Sequence, residues 1–376
     1  MPERIDLFQA DDLRDVVHRV VACLAKGGVV GLATESGYGL IASAIHPSSA
    51  SRMRSWLGLV DEARSGQWSP TLLIKGSDDL ADWVNLGLGD PSARKIPGRV
   101  WPGPVTFRFR PSDRGLASRL PVAVRSFLDS DGWLSIQSPK DQITSEVIRL
   151  TSGPLIQVDG SARQPSTTFQ VGDLARLDDL EMVLDSGEST IGRHPTVVEV
   201  AESGWSVVRP GVVSERTIVQ WAGTIILFVC TGNTCRSPMA EALCKAVIAR
   251  RMNCGPDDLV ERGYVVLSAG VAASDGMPAA TNAIEVVQSR GGSLVEHSSR
   301  QITPQLVRHA DHILAMTWDH LDLLLDQVPE VADRVRLLDP NGCDIADPVG
   351  LDQATYRETA REIERHLEHL LQELGL

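Results

Sequence analysis

Apolar and polar positions follow two different periods along this chain, and the changes of period mark its elements. Leu13, Val16, Val17, Val20, Val21 and Leu24 recur at helical spacing, Gly27-Gly28 stops that helix, and VVGLAT (29–34) follows as a buried strand. The short apolar runs TLLI (71–74), VTFRF (105–109), PLIQV (154–158), TVVEV (196–200) and WSVVRP (205–210) are separated by Gly/Pro turns. They predict a mixed sheet with helices up to about Pro210, and GVVSERTIVQWAG (211–223) reads as a closing segment and linker. A new unit then begins. IILFVC (225–230) is a continuous apolar run of the kind a doubly covered parallel strand needs, and MAEALCKAVIARR (239–251) continues it as a helix. YVVLSAG (264–270), HILAMT (312–317) and RVRLLD (334–339) are further strands, with helical segments between them. Ala360, Ile363, Leu367, Leu370, Leu371 and Leu374 form the apolar stripe of a last helix. The expected class is α/β with two domains: a mixed-sheet domain over 1–222, and a doubly wound parallel-sheet domain over 223–376.

Composition sharpens this picture in two places. At 376 residues the chain exceeds one ordinary core, and 43% hydrophobic with 23% charged residues is the balance of a globular protein. The first fifteen residues are charged throughout, no apolar run is long enough to cross a bilayer, and six cysteines show no paired framework. A reducing cytoplasm is the expected compartment, with no membrane partner. The net charge is −13, and residues 224–376 carry 13 Lys and Arg against 22 Asp and Glu. Such a surface repels nucleic acid, so a phosphate site in that half has to be built locally from backbone donors and an arginine or two.

Residues 230–238, CTGNTCRSP, supply that kind of site. A loop between a strand end and a helix N-terminus aims several backbone N–H groups at one point, and the helix dipole adds positive potential there. Cys230 at that point is a candidate nucleophile with a depressed pKa, and Arg236 can grip two phosphate oxygens in a planar fork. Thr231, Gly232, Asn233, Thr234, Cys235 and Ser237 complete the substrate-binding loop. Gly232 and Asn233 are the residue types that tolerate left-handed backbone, Ser237 can donate to a thiolate, and Pro238 suits an early helical position.

CTGNTCRSPMAEAL resembles the signature of the low-molecular-weight protein tyrosine and arginine phosphatases, and the resemblance runs from about Thr224 to Leu376 through LSAG, HSSRQI, ADHILAMT and ADPVG. It implies a phosphorylated protein substrate, a phosphocysteine on Cys230, phosphate held by the loop and Arg236, no metal or cofactor, and an aspartic general acid. LLDPNGCDIADPVG offers Asp339, Asp344 and Asp347; similarity to the family places the acid at Asp347, leaving the other two as caps or turn formers. Two departures concern the substrate. Val349 and Gly350 stand where phosphotyrosine enzymes usually carry aromatics, whereas Thr234 is typical of the arginine branch, which usually has Phe at the Val349 position. Residues 255–342 contain no cysteine, which argues against arsenate reduction. Cys235 reads equally as a reversible redox guard and as a small buried hydrophobe.

Residues 12–212 resemble the YrdC-like family, whose active members make threonylcarbamoyl-adenylate for tRNA modification, through ATESGYGL, SPTLLI, WPGPVTF, GPLIQV and PTVVEV. The family's Lys-x-Arg pair, expected near 59–64, is missing but for Arg64; Gln137 stands where a phosphate-binding Arg is expected, and QVDGSARQ replaces a Ser-x-Asn element. The expectation is a degenerate domain, with nucleotide or RNA binding open and Thr34 and Glu35 retained. The alternative is a threonylcarbamoyl-AMP synthase or RNA-binding tRNA-modification protein fused to a phosphatase.

Overall fold

The computed structural model describes residues 2–57, 69–85, 91–112, 114–159, 170–174, 177, 180–188 and 191–376. The chain divides into two compact units, Met1–Trp221 and Ala222–Leu376.

In the first unit the elements run β1 (Glu3–Asp6), α1 (Leu13–Ala25), β2 (Val29–Thr34), β3 (Gly37–Ser43), α2 (Pro47–Leu57), β4 (Thr71–Leu73), α3 (Leu80–Trp83), α4 (Pro91–Val100) and β5 (Val105–Phe109). They continue with α5 (Val122–Leu128), β6 (Leu134–Gln137), α6 (Gln142–Leu150), β7 (Leu155–Asp159), α7 (Val171–Leu174), β8 (Met182–Asp185), β9 (Thr196–Ala201), β10 (Gly204–Arg209) and α8 (Glu215–Ala222). Among the described residues the strands form one mixed sheet, ordered β1-β8-β2-β3-β7-β4-β6-β5-β9-β10. The α1 stripe seals one face: Val16, Val17, Val20 and Leu24 pack with Val30, Leu32 and Ile41 of the sheet and with Val147 and Ile148 of α6. Gly27 takes φ +82 where the helix turns back, a conformation that costs glycine nothing.

The stretch 211–223 is not only a linker. Its second half is α8, begun by Ser214, whose hydroxyl accepts from Thr217 N at 3.2 Å, and anchored by fully buried Ile218. A Ser cap followed by one deeply buried apolar residue is a short signal, easily taken for irregular chain.

The second unit is a four-stranded, all-parallel sheet ordered β12-β11-β13-β14, built from β11 (Thr224–Cys230), β12 (Tyr264–Gly270), β13 (His312–Ala315) and β14 (Val335–Leu337). Helices cover both faces: α9 (Arg236–Met252), α10 (Thr281–Gln288) and α13 (Gln353–Glu373) on one, α11 (Pro304–His309) and α12 (Trp318–Gln327) on the other. Strand β11 shows why its sequence is apolar without alternation. Ile226, Phe228 and Cys230 enter the core beneath α9 and α13, whereas Ile225, Leu227 and Val229 enter the opposite core. The stripe of α13 is buried as spaced, with Ala360, Ile363, Leu367, Leu370 and Leu371 all inside. Removing a leucine such as Leu367, fully buried, would cost about 2–5 kcal/mol in lost burial and cavity. This arrangement brings the ends of β11, β12 and β13 to one edge, where a doubly wound sheet forms its crevice.

Candidate active site

Strand β11 ends at Cys230, and α9 begins at Arg236 with Cys235 as its N-cap. The five residues between fold into a ring whose carbonyls are tied outward. Cys230 O and Thr231 O accept from Val271 N and Ala272 N, each at 2.9 Å; Asn233 O lies 2.8 Å from His297 Nε2; Thr234 O accepts from Ala280 N at 2.9 Å. A planar trans peptide points its N–H opposite to its carbonyl. The N–H groups of Thr231, Gly232, Thr234 and Cys235 therefore face the space the ring encloses, at the positive end of a seventeen-residue helix. That is an anion nest.

Asn233 holds the ring's shape. It alone takes the left-handed backbone in this loop, at φ +54; Gly232 does not, although its composition made it an equal candidate. Asn233 is fully buried, its Nδ2 donates to Ser237 Oγ at 2.9 Å and Ser268 Oγ at 2.8 Å, and its Oδ1 accepts from Arg300 N at 2.9 Å. Ser268 in turn donates to Glu241 Oε2 at 2.6 Å, and Glu241 pairs with Lys245 at 2.5 Å. Gly270, opposite Cys230 in register, is required by space: a Cβ there would lie 2.5 Å from Thr231 O and 2.9 Å from Asn233 N.

Cys230 Sγ lies 2.9 Å from Ser237 Oγ. The Ser237 hydroxyl accepts from Asn233 Nδ2 and has both Cys230 Sγ and, at 3.3 Å, Ala269 O within reach of its own proton. Burial pushes the Cys230 thiol up from its ordinary value, while Ser237, the backbone N–H groups of Ser237 and Asn233, and Arg236 pull it down. The net direction is up, against the expectation of a depressed pKa, because that expectation weighed the donors and not a sulfur 2% exposed. Cys244, wholly buried beside no such donors, is pushed up to about 12.

Arg236 is itself buried. Its Nη1 donates to Ile345 O at 3.1 Å, and its Nη2 reaches Asp347 Oδ2 at 2.5 Å and Thr231 Oγ1 at 3.4 Å. The fold thus brings together Cys230, Arg236 and Asp347 of the expected set. Asp344 and Asp339 do other work: Asp344 accepts from Trp318 N at 2.9 Å, and Asp339 closes a turn onto Asn341 N at 2.8 Å. Cys235 Sγ lies 3.1 Å from Tyr356 OH, and burial first, then this contact, raise the tyrosine pKa. Thr234 stands beside Cys235, its hydroxyl 3.7 Å from that sulfur.

Three residues near the ring carry no signal in the local motif. His297 and His320 bond the ring from outside, at Asn233 O and at Thr231 Oγ1. Trp318 is half-exposed, with its Nε1 donating to Gly342 O at 3.0 Å, so an aromatic stands against the loop that carries Asp347 although the two residues directly after Asp347-Pro348 are Val349 and Gly350. Among the described residues no cluster of side chains could hold a metal ion.

In the first unit, the expected site elements are turned inward. Thr34 Oγ1 donates to Gly37 O at 2.9 Å, Glu35 accepts from Lys140 N at 2.9 Å, and Gln137 donates to Glu35 and Gly103 while accepting from Thr106 at 3.0 Å. The stretches 59–64 and 160–164 lie outside the described residues.

The model of the low molecular weight phosphotyrosine protein phosphatase family matches residues 225–375, and the Sua5/YciO/YrdC model, described as telomere recombination, matches residues 22–211. A protein-arginine-phosphatase of Geobacillus stearothermophilus is 36% identical over 153 residues, 40% of this chain and 95% of the relative. The low molecular weight protein-tyrosine-phosphatase Wzb of Escherichia coli K12 is 35% identical over 152 residues, again 40% and 95%. Among solved structures, a YwlE mutant from Bacillus subtilis is 36% identical, covers 41% of this chain and 100% of its own, and superposes with a TM-score of 0.37.

Proposed function

We propose that this chain, which belongs to the low molecular weight phosphotyrosine protein phosphatase family through residues 225–375 and to the Sua5/YciO/YrdC family through residues 22–211, dephosphorylates protein side chains through a phosphocysteine on Cys230. It is a hydrolase of the low molecular weight protein phosphatase class. The observation that carries the mechanism is the convergence of Cys230, Ser237, the ring N–H groups and Arg236 on one enclosed point.

The phosphoryl group enters the ring with its oxygens on the N–H groups and on Arg236. The dianion competes with Asp347 for the guanidinium and frees that carboxyl, which takes up a proton. The Cys230 thiol loses its proton to solvent, its thiolate supported by Ser237, the ring N–H groups and Arg236. The thiolate attacks phosphorus, the bond to the leaving oxygen or nitrogen breaks, and Asp347 gives the leaving atom its proton. Asp347 then accepts a proton from water as that water attacks the phosphocysteine, releasing phosphate and regenerating the thiolate. Thr231, Gly232, Asn233, Thr234, Cys235 and Ser237 bind the phosphoryl group in this scheme.

Phosphoarginine is the favoured substrate. Thr234 gives the rim a hydroxyl where an aliphatic would suit an aryl ring, and the exposed position after Asp347-Pro348 is Val349. A P–N bond also breaks readily once its nitrogen is protonated, which is the task assigned to Asp347. The first unit serves as a binding or regulatory scaffold without synthase activity, since Gln137 leaves no cation at that position and Thr34 and Glu35 are engaged within the fold.

The test is Cys230→Ser in the full chain. Turnover of an aryl phosphate should vanish, because a hydroxyl here is too weak an acid to attack, while vanadate binding should persist through the ring and Arg236. Turnover at the wild-type rate in the variant would sink the mechanism.

A further inference from the structure

His320 belongs to α12, on the sheet face away from α9, yet it reaches the phosphate ring. Its Nε2 lies 2.9 Å from Thr231 Oγ1 and its Nδ1 lies 2.8 Å from Thr317 Oγ1. The side chain is buried, at 4% exposure. The directions of the two His320 bonds follow the imidazole tautomer, and one tautomer links all four groups in a single sense. Arg236 has only donors, so at 3.4 Å its Nη2 gives a proton to Thr231 Oγ1. In that tautomer the Thr231 hydroxyl, whose oxygen accepts from Arg236, gives its own proton to His320 Nε2. An unprotonated Nε2 leaves the proton on Nδ1, where Thr317 Oγ1 receives it. In that tautomer the chain of bonds runs from Arg236 through Thr231 and His320 to Thr317, the N-cap of α12, and it needs a neutral imidazole.

We propose that His320 is a positioning residue of the phosphatase site, holding the Thr231 hydroxyl as an acceptor for Arg236 and so fixing the guanidinium that grips phosphate. The proposal rests on the reading of Arg236 as the phosphate clamp. The charged groups facing His320 are Asp319 on its own helix, Arg236 from α9, and Asp344 and Asp347 from the loop before α13. Burial and then Arg236 hold its pKa below the ordinary histidine value, against the three carboxylates. Protonation would put a second donor on Thr231 Oγ1 and a second cation beside Arg236. Because the folded form resists the proton more than the unfolded chain does, the arrangement is intact above the ordinary histidine pKa of about 6.5. It fails as pH falls through the lower, folded value.

Five proteins test this: wild type, His320→Asn, His320→Gln, Thr231→Val and the His320→Asn/Thr231→Val pair. Each is assayed for aryl phosphate turnover and vanadate inhibition from about pH 5 to pH 8. Gln can place an acceptor near the Nε2 position, whereas Asn is too short to reach Thr231. His320→Asn and Thr231→Val should each weaken vanadate by about tenfold, the scale of one hydrogen bond to a charged group. The double variant should lose no more than either single one. His320→Gln should recover to within about threefold of wild type and lose the acid fall-off in kcat/KM that His320 produces. Equal losses in Asn and Gln, additive losses in the double variant, or an acid limb unchanged in His320→Gln would overturn the proposal. The same substitutions in a Cys230→Ser background, titrated with inorganic phosphate by calorimetry, read Arg236 positioning without turnover. Failure of the phosphatase reading would appear separately, as wild-type turnover that survives Cys230→Ser.

Discussion

Arg236 and Asp347, 111 residues apart, pair at 2.5 Å between a guanidinium side chain 5% exposed and a carboxylate side chain 39% exposed. The cation is fixed by Ile345 O and the ring, whereas the anion sits at the rim and can leave. One contact thus couples the phosphate clamp to the proposed acid.

Asp347→Asn should lower kcat by about 10²–10⁴-fold on substrates with poor leaving groups, and less on activated aryl phosphates that depart without a proton. Vanadate should bind as tightly as in wild type or more so, because the competing carboxylate is gone. Asp344→Asn should show neither effect, since Asp344 bonds Trp318 N. Steady-state kinetics on both leaving-group classes decide; the loss appearing in Asp344→Asn instead would reverse the assignment.

Ser237→Ala removes a donor that lowers the Cys230 pKa, so the thiol should titrate higher than in wild type. Alkylation by iodoacetate at pH 7 should slow, and the two proteins should converge at high pH where both are thiolate. Identical rate–pH curves would mean that Ser237 does not act on the sulfur.

Thr234→Ile should depress turnover of phosphoarginine peptides more than that of phosphotyrosine peptides, and wild type should favour phosphoarginine in kcat/KM. A phosphotyrosine ring gains about 0.5–1.5 kcal/mol from each aromatic it stacks on, and the two positions directly after Asp347-Pro348 are Val349 and Gly350. Equal losses, or a wild type preferring phosphotyrosine, would return the site to the tyrosine branch. Trp318→Ala, measured alongside, reads whether that exposed ring compensates.

The full chain carrying Cys230→Ser should form no threonylcarbamoyl-adenylate from ATP, threonine and bicarbonate. Gln137, bonded to Thr106 and Glu35, leaves neutral amide where a triphosphate needs a cation. Mass spectrometry that finds product above a no-enzyme control defeats this.

The sequence by itself determined what is local. The strand–ring–helix from Ile225 to Met252 is fixed by adjacent residues: an apolar run, a turn in which Asn233 goes left-handed, and a helix that starts at Arg236. The spacing from Cys230 to Arg236 alone therefore places sulfur and guanidinium at one helix N-terminus. The stripes of α1 and α13 were legible for the same reason, because a 3.6-residue period needs no partner to be seen. Strands β1, β3, β6 and β8 were not: ERID is short and mostly exposed, GYGLIAS is buried on both faces without alternation, and LSIQ and MVLD are four residues each. Only the tertiary structure decided which distant groups meet the ring. Asp347 reaches Arg236 from the loop before α13, His320 reaches Thr231 from α12, and Ser268 and Gly270 reach Asn233 and Thr231 from β12. These meetings depend on strand order and helix placement, which long-range packing sets and no local pattern encodes. The Cys230 pKa belongs with them, since the burial that raises it comes from the core that α9 and α13 close over one face of the sheet, which one strand cannot foretell.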